Sequence, residues 1–245
     1  MLLPVKMPFE ERAMVTREQL RDWSTAPGPG FAYYRPFVCK GSSRLHSIFL
    51  VGINPATPIY PADLELGAYL DLLLDYERFL DYYQRVRQSA GKRPMSRTRQ
   101  GMDSFIRWLT EKTSEPVVET NVITYPTPGA TDLRKLPDSV ITRGRAIFLD
   151  LLTGLQPKLL LLHGKWTVVE ATHLLTGQGL LRRQVDLSGD IQSLEDRSPL
   201  FSFVWGDGTT CMVLACRHFM YYGESGASFA GFRQMVLVGL SSRDA

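Results

Sequence analysis

The run SIFLVGI, Ser47 to Ile53, is apolar from Ile48 onward and stops abruptly at Asn54-Pro55. A strand with one wet face alternates polar and apolar residues. An uninterrupted run is instead a strand covered on both faces, as in a parallel sheet. Proline cannot donate to a central ladder, so Pro55 closes the strand and leaves Asn54 at its carboxyl end. Two more segments follow the same logic. VVETNVITY, Val117 to Tyr125, breaks at Pro126 and Pro128. KLLLLHG follows Pro157 and runs straight into Lys165-Trp166-Thr167. Phe201 to Trp205 and Cys211 to Ala215 flank Gly206-Asp207-Gly208 and read as a hairpin.

Helical patterns separate these strands. Thr16, with Glu18 and Gln19 behind it, caps a helix through Trp23. Ala26 to Gly30 then breaks the chain, and the aromatic FAYYRPF, Phe31 to Phe37, reads as loop. Apolar spacing predicts one helix from Leu64 to Arg87, then Met102 to Thr110, Val140 to Leu155, a helix through Leu175, and Ala227 to Leu240. The polar stretch Ser188 to Ser198 reads as loop. Strands alternating with helices predict a single domain over residues 1–245. Its expected fold is a three-layer α/β/α sandwich with a central, mostly parallel four-stranded sheet, and residues 64–100 form an extended helical insertion. Charge is segregated in that insertion: Asp63, Glu65, Asp71, Asp75, Glu77 and Asp81 precede Arg85, Arg87, Lys92, Arg93, Arg97 and Arg99.

With 245 residues, 44% hydrophobic and 22% charged, the chain is neither a disordered tail, a collagen-like fibre nor a coiled-coil rod. The balance of 28 Lys+Arg against 25 Asp+Glu gives +3, too small to announce a nucleic-acid binder and no bar to a local basic face. Cys39, Cys211 and Cys216 are an odd set without CxxC spacing, which speaks against structural zinc and iron–sulfur clusters and for a reducing compartment. No stretch approaches the ~18 apolar residues of a membrane span. MLLPVKMPFEER is interrupted by Pro4 and turns charged at once, unlike a secretory signal, so a cytoplasmic location is expected.

Ligands of open α/β sheets bind at the carboxyl ends of the strands. Asn54, Asn121 and His218 fall at three such ends. Each also has a structural reading. Asn-Pro starts turns, a buried asparagine can satisfy backbone, and a lone histidine is commonly a packing residue. Functionally, Asn54 can hold and orient a water, and the amide of Asn121 can pair with two neighbouring groups on a base edge. Gly164-Lys165-Trp166-Thr167 lacks the upstream glycine of a phosphate loop, and Gly223-Glu224-Ser225-Gly226 lacks hydrolase-elbow spacing. Asp132, Asp138 and Asp150 form no metal-like cluster. The run Arg85 to Arg99 is either a solvated helix end or a phosphate-contacting surface.

Four motifs, in order from Ile48 to Phe232, resemble the uracil-DNA glycosylase superfamily. VGINPAT, Val51 to Thr57, resembles its strand and Gly-x-Asp/Asn-Pro turn, closest in form to the mismatch-specific uracil/thymine branch. Glu119-Thr120-Asn121-Val122 resembles the strand of its base-reading asparagine. Pro157 to Gly164 resembles the apolar strand before its last helices. Arg217-His218, followed by Ser225 to Ser228 and Gly231-Phe232, resembles its His-Pro-Ser intercalation motif in degraded form. Phe219 stands in place of the proline, and Met220 to Glu224 intervene before the serine.

The resemblance implies a monofunctional DNA glycosylase that flips and excises a damaged or 5-modified pyrimidine, in repair or in defence against phage with modified bases. It implies DNA as partner and no cofactor or metal. Asn54 and His218 would be catalytic. Gly52, Ile53, Ala56, Tyr60 and Asn121 would hold the base, and Arg97, Arg99, Arg217, Tyr221, Ser225 and Ser228 the DNA. Where the most uracil-selective branch has a tyrosine that walls off pyrimidine C5, this chain has Ala56. The alternatives are a non-catalytic nucleic-acid-binding module on the same fold and a glycosidase of free nucleosides.

Overall fold

The computed structural model describes residues 15–39 and 47–241. The N-terminal stretch read as unlike a secretory signal lies outside them. The strands are β1 (Phe37–Cys39), β2 (Ile48–Gly52), β3 (Val117–Asn121), β4 (Leu159–His163), β5 (Phe201–Val204) and β6 (Thr210–Cys216). They form one sheet in the order β1-β3-β2-β4-β6-β5. The contiguous strands β3, β2, β4 and β6 are parallel, and β1 and β5 run antiparallel at the two edges.

The expected four-stranded sheet is therefore a six-stranded mixed one. The hairpin of β5 and β6 follows the sequence pattern. β1 does not, because it starts at the last residue of the aromatic FAYYRPF segment and its three residues are too few to show a period.

Side chains alternate across the sheet, and two cores result. Phe49, Val51, Val118, Leu160, Leu162, Val213 and Ala215 point into one. Ile48, Leu50, Val117, Leu159, Leu161, Leu214 and Cys216 point into the other. The first is covered by α1 (Arg17–Ser24), α2 (Leu66–Leu73), α3 (Tyr76–Ser89), α5 (Asp138–Leu155) and α6 (Lys165–Gly177). The second is covered by α4 (Arg97–Thr110) and α8 (Ala230–Ser241). Among the described residues no helix is long and apolar enough to cross a membrane.

Capping side chains explain where helix boundaries depart from the periodicity. The helix expected from Leu64 to Arg87 is two, because the Asp75 carboxylate accepts from the Arg78 N–H and starts α3 afresh. Ser96 likewise accepts from the Arg99 N–H, so α4 begins five residues before Met102. The stretch read as loop from Ser188 contains α7 (Ile191–Asp196), capped by Asp190. The last helix is preceded by a separate 3-10 turn at Ala227–Phe229.

The chain leaves β2 toward β3 on one side and later places β4 on the other. The crevice of such a sheet opens where the strand order reverses, at the carboxyl ends of β2 and β4.

Candidate functional site

Residues from several segments converge at that crevice on a cavity of about 290 Å³, near the lower bound of small-ligand sites (~300 Å³). Ile53, Asn54, Pro55 and Ala56 follow β2. Glu119 and Asn121 come from β3, Thr127 to Ala130 from the loop beyond it, and His163 from the end of β4. His218 follows β6, and Ser96, Thr98, Arg99 and Met102 come from the start of α4. A larger cleft of about 830 Å³ lies between β5 and residues 179–186, but none of the strand-end amides or histidines reaches it. We assign the site to the smaller cavity because its polar groups converge.

Asn54 is held in one orientation. Its Nδ2 donates to Thr127 Oγ1 at 2.7 Å and to the Pro55 carbonyl at 3.2 Å, and the Thr127 hydroxyl donates to the Gly129 carbonyl at 2.6 Å. With its amide hydrogens taken up by protein oxygens, Asn54 keeps Oδ1 free to accept. The turn that follows is clamped from beneath. Arg35, buried, donates to the carbonyls of Ala56 at 2.9 Å and Thr57 at 2.7 Å and lies over the Phe79 ring. The clamp matters because Thr57 has φ +61°, a left-handed conformation costly for a β-branched residue.

Gly52 is required by crowding. A Cβ there would lie 2.7 Å from Asn121 Oδ1 and 2.9 Å from His163 Nε2. Gly52 and Asn121 are register partners in the β2–β3 ladder, so both side-chain positions face the α4 side of the sheet. The amide of Asn121 makes no hydrogen bond among the described residues.

His218 caps a 3-10 turn, Phe219–Tyr221, and its Nδ1 accepts from the Met220 N–H at 3.4 Å. That bond leaves the proton of the neutral ring on Nε2. Burial lowers the pKa of His218. The turn lies against α4 where a Cβ on Gly101 would come within 2.0 Å of the Phe219 carbonyl oxygen, so only glycine permits the contact.

Beneath the amides sits a buried ion pair. Arg99 Nη1 contacts both Glu119 oxygens, at 2.8 and 2.6 Å, and Asp103 at 3.5 Å, while the Tyr76 hydroxyl donates to Asp103 at 2.6 Å. Burial pushes the Glu119 and Asp103 carboxyls up, and Arg99 opposes the rise in both. Burial also works against the charged guanidinium of Arg99, but Glu119, Tyr76 and Asp103 outweigh it and the pKa rises.

This geometry corrects several expectations. Arg99 is occupied by Glu119 and is no free phosphate contact, whereas Arg97 is exposed. Arg217 is engaged by the buried Glu195 of α7 at 3.0 Å, by the Ser228 carbonyl, and by the Phe229 ring beneath it. It fixes the segment after β6 instead of facing outward. Tyr60 is 38% exposed and is absent from the cavity wall, so it neither stacks in the cavity nor fills the space beside Ala56. Tyr221, Ser225 and Ser228 are exposed on the segment after His218, and the Ser228 hydroxyl donates to the Tyr221 carbonyl. If the basic end of the insertion meets phosphates, Arg97→Gln is expected to make the salt dependence of DNA affinity shallower by about 0.7–0.9 in log–log slope. An unchanged slope would assign Arg97 to solvent.

Sequence reasoning missed Arg35, Thr127, Glu119 as a cavity residue, and His163. His163 carried the same signal as the residues selected, a polar side chain ending an apolar strand. Among the described residues no group of three or more His, Cys, Asp or Glu is placed to hold a metal ion, and Cys39, Cys211 and Cys216 are free and buried. Compared with protein-family models and with curated proteins, the chain matches none.

Proposed function

We propose that the protein is a monofunctional DNA glycosylase that excises a flipped, 5-substituted pyrimidine by hydrolysis of its N-glycosidic bond, in the cytoplasm, in repair or in defence against DNA carrying modified bases. The observation that carries this reading is the convergence of Asn54, Asn121 and His218 on one cavity, with the Asn54 amide hydrogens already engaged by Thr127 and Pro55.

The target nucleotide leaves the stack and its base enters the cavity, where Asn121 pairs with the base edge. As the bond from C1′ to N1 lengthens, the electron pair moves to the base and the sugar becomes oxocarbenium-like. Water held by Asn54 Oδ1 adds to C1′. No strong base is required, because water is acidified as it bonds to a cationic carbon and its proton passes to solvent. Negative charge on the departing pyrimidine gathers at O2. The Nε2–H of neutral His218 donates to it there, an oxyanion-type stabilisation.

Selectivity rests on Ala56. Its single methyl lines the cavity at the position where the uracil-selective branch that the sequence resembles carries a tyrosine against C5, and Tyr60 lies elsewhere. A base with a substituent at C5 is therefore accepted. Ala56→Tyr is expected to abolish excision of bulky 5-modified pyrimidines and to spare uracil, after thermal melting establishes that the variant folds. Parental rates on bulky bases in the folded variant would contradict this placement of C5.

The reading itself is tested by incubating the protein with DNA carrying uracil, thymine mismatches and 5-modified cytosines, then cleaving abasic sites with alkali. Strand scission at a modified position supports it. Salt-sensitive DNA binding without scission favours the non-catalytic module, and release of base from free nucleosides alone favours a nucleosidase.

A further inference from the structure

His163 ends β4 one step beyond the Val51–Leu162 register pair, beside Gly52 and opposite Cys216. It is only 6% exposed, yet it lines the cavity. Its two nitrogens have unlike surroundings. Nδ1 is buried and finds no partner among the described residues. Nε2 lies over Gly52 on the same side as Asn121 Oδ1, each within 2.9 Å of the point where a Gly52 Cβ would stand.

A buried N–H without an acceptor is rarer in proteins than an acceptor left unmatched. The proton of the neutral ring therefore belongs on Nε2, the nitrogen toward Asn121 and the cavity. Burial, then His218, then Arg99 keep the ring neutral. The ring cannot easily turn away. Its centroid is 5.0 Å from that of His218 and 5.3 Å from that of Phe219, edge-on to both.

Packing alone does not account for this residue. An apolar side chain would fill the position without burying an unmatched nitrogen, and Gly52 leaves open the space that Nε2 and Asn121 Oδ1 share. Asn121 brings one acceptor and two hydrogens to the cavity, and His163 adds a fixed donor beside them. A ligand that satisfies this wall presents a carbonyl oxygen next to an amide-type N–H or ring nitrogen, an arrangement found on a pyrimidine edge.

We propose that His163 is a base-contacting residue, a neutral imidazole that donates from Nε2 to a carbonyl oxygen of the bound pyrimidine alongside Asn121. This rests on the glycosylase reading for the identity of the ligand. His163 would act at the edge that Asn121 reads, and His218 at the oxygen where charge develops. Loss of His163 therefore weakens recognition of the base, whereas loss of His218 slows bond cleavage.

The test compares wild type with His163→Phe, which keeps a ring in place, and His163→Gln, whose Nε2 can stand where the imidazole Nε2 stood. Circular dichroism melts confirm folding. On DNA containing an excisable base, His163→Phe is expected to lose about 30-fold in kcat/KM, the scale of one hydrogen bond to a ligand. Its affinity for undamaged DNA should be unchanged, and His163→Gln should recover most of the loss. In parallel, protein labelled with ¹⁵N-histidine is titrated with free uracil and free cytosine. The Nε2 resonance of His163 should shift in the wild type.

Activity of the phenylalanine variant equal to wild type, with excision intact and an unmoved Nε2 resonance, overturns the assignment of His163 and leaves the glycosylase reading standing. A shifted resonance in a protein that excises nothing does the reverse. An unmoved resonance in a protein that excises nothing overturns both.

Discussion

Asn54→Ala is expected to lower the single-turnover rate of base excision by roughly 10²-fold or more while leaving DNA affinity within a factor of about two. That is the scale of losing one preorganised group at the reacting centre. In the chain Asn54 Nδ2, Thr127 Oγ1 and Gly129 carbonyl, each donor already has its acceptor. The amide is thereby prevented from turning over, and Oδ1 is the atom it can offer a water. Alanine removes that atom and alters none of the exposed cations, Arg97 among them, that the proposal assigns to DNA. A smaller loss is expected from Thr127→Val, because Asn54 stays present but free to rotate. Rates for Asn54→Ala equal to wild type would remove the residue from the mechanism.

Glu119→Ala is expected to destabilise the protein by about 3–5 kcal/mol, near the lower figure because Asp103 remains within 3.5 Å of Arg99. The effect belongs to the guanidinium left behind. Arg99 is largely enclosed, its other neighbours being Tyr76 and the Tyr83 ring, and it meets solvent only along the cavity wall. Replacing both partners by apolar residues of similar size, Glu119→Leu with Arg99→Met, should restore part of the loss, since neither member of the pair is then left charged alone, while Asp103 loses Arg99 and keeps the hydrogen bond from Tyr76. Urea unfolding midpoints measure both. A shift below about 1 kcal/mol for Glu119→Ala would mean that the pair is solvated and that Arg99 is free to meet DNA after all.

The parallel centre of the sheet was legible because strands covered on both faces must be apolar throughout, and SIFLVGI and KLLLLHG leave no second interpretation. Pro55 marked where β2 ends and brought Asn54 into view, whereas β3 stops at Asn121, four residues short of the expected Tyr125, because the chain leaves the ladder well before Pro126. The edge strand β1 was not legible, for Phe37–Cys39 is three residues beside a loop and carries no period. Nor were the helix starts at Asp75 and Ser96, where one side-chain oxygen outweighs the apolar spacing around it.

Arg99 shows a deeper limit. In the sequence it is one more cation in a basic run. Only the fold reveals that the first turn of α4 faces β3, where Glu119 stands two residues before Asn121 and so on the same face of the strand. Arg217 was misread for the same reason: its partner Glu195 lies in a helix that the polar composition around Ser188 disguised. His163 ends an apolar strand just as Asn54 follows one, so the same strand-end rule covers it.

The central claim is that the cavity at the ends of β2, β3 and β4 breaks an N-glycosidic bond. Mass spectrometry of the low-molecular-weight products tests it most directly, with wild type and Asn54→Ala incubated side by side with DNA carrying uracil or 5-modified pyrimidines. The account predicts an intact free base from the wild type, stoichiometric with abasic sites in the strand, and a release from Asn54→Ala slowed by roughly 10²-fold. No free base from any of these DNAs, or equal release by the two proteins, would contradict it.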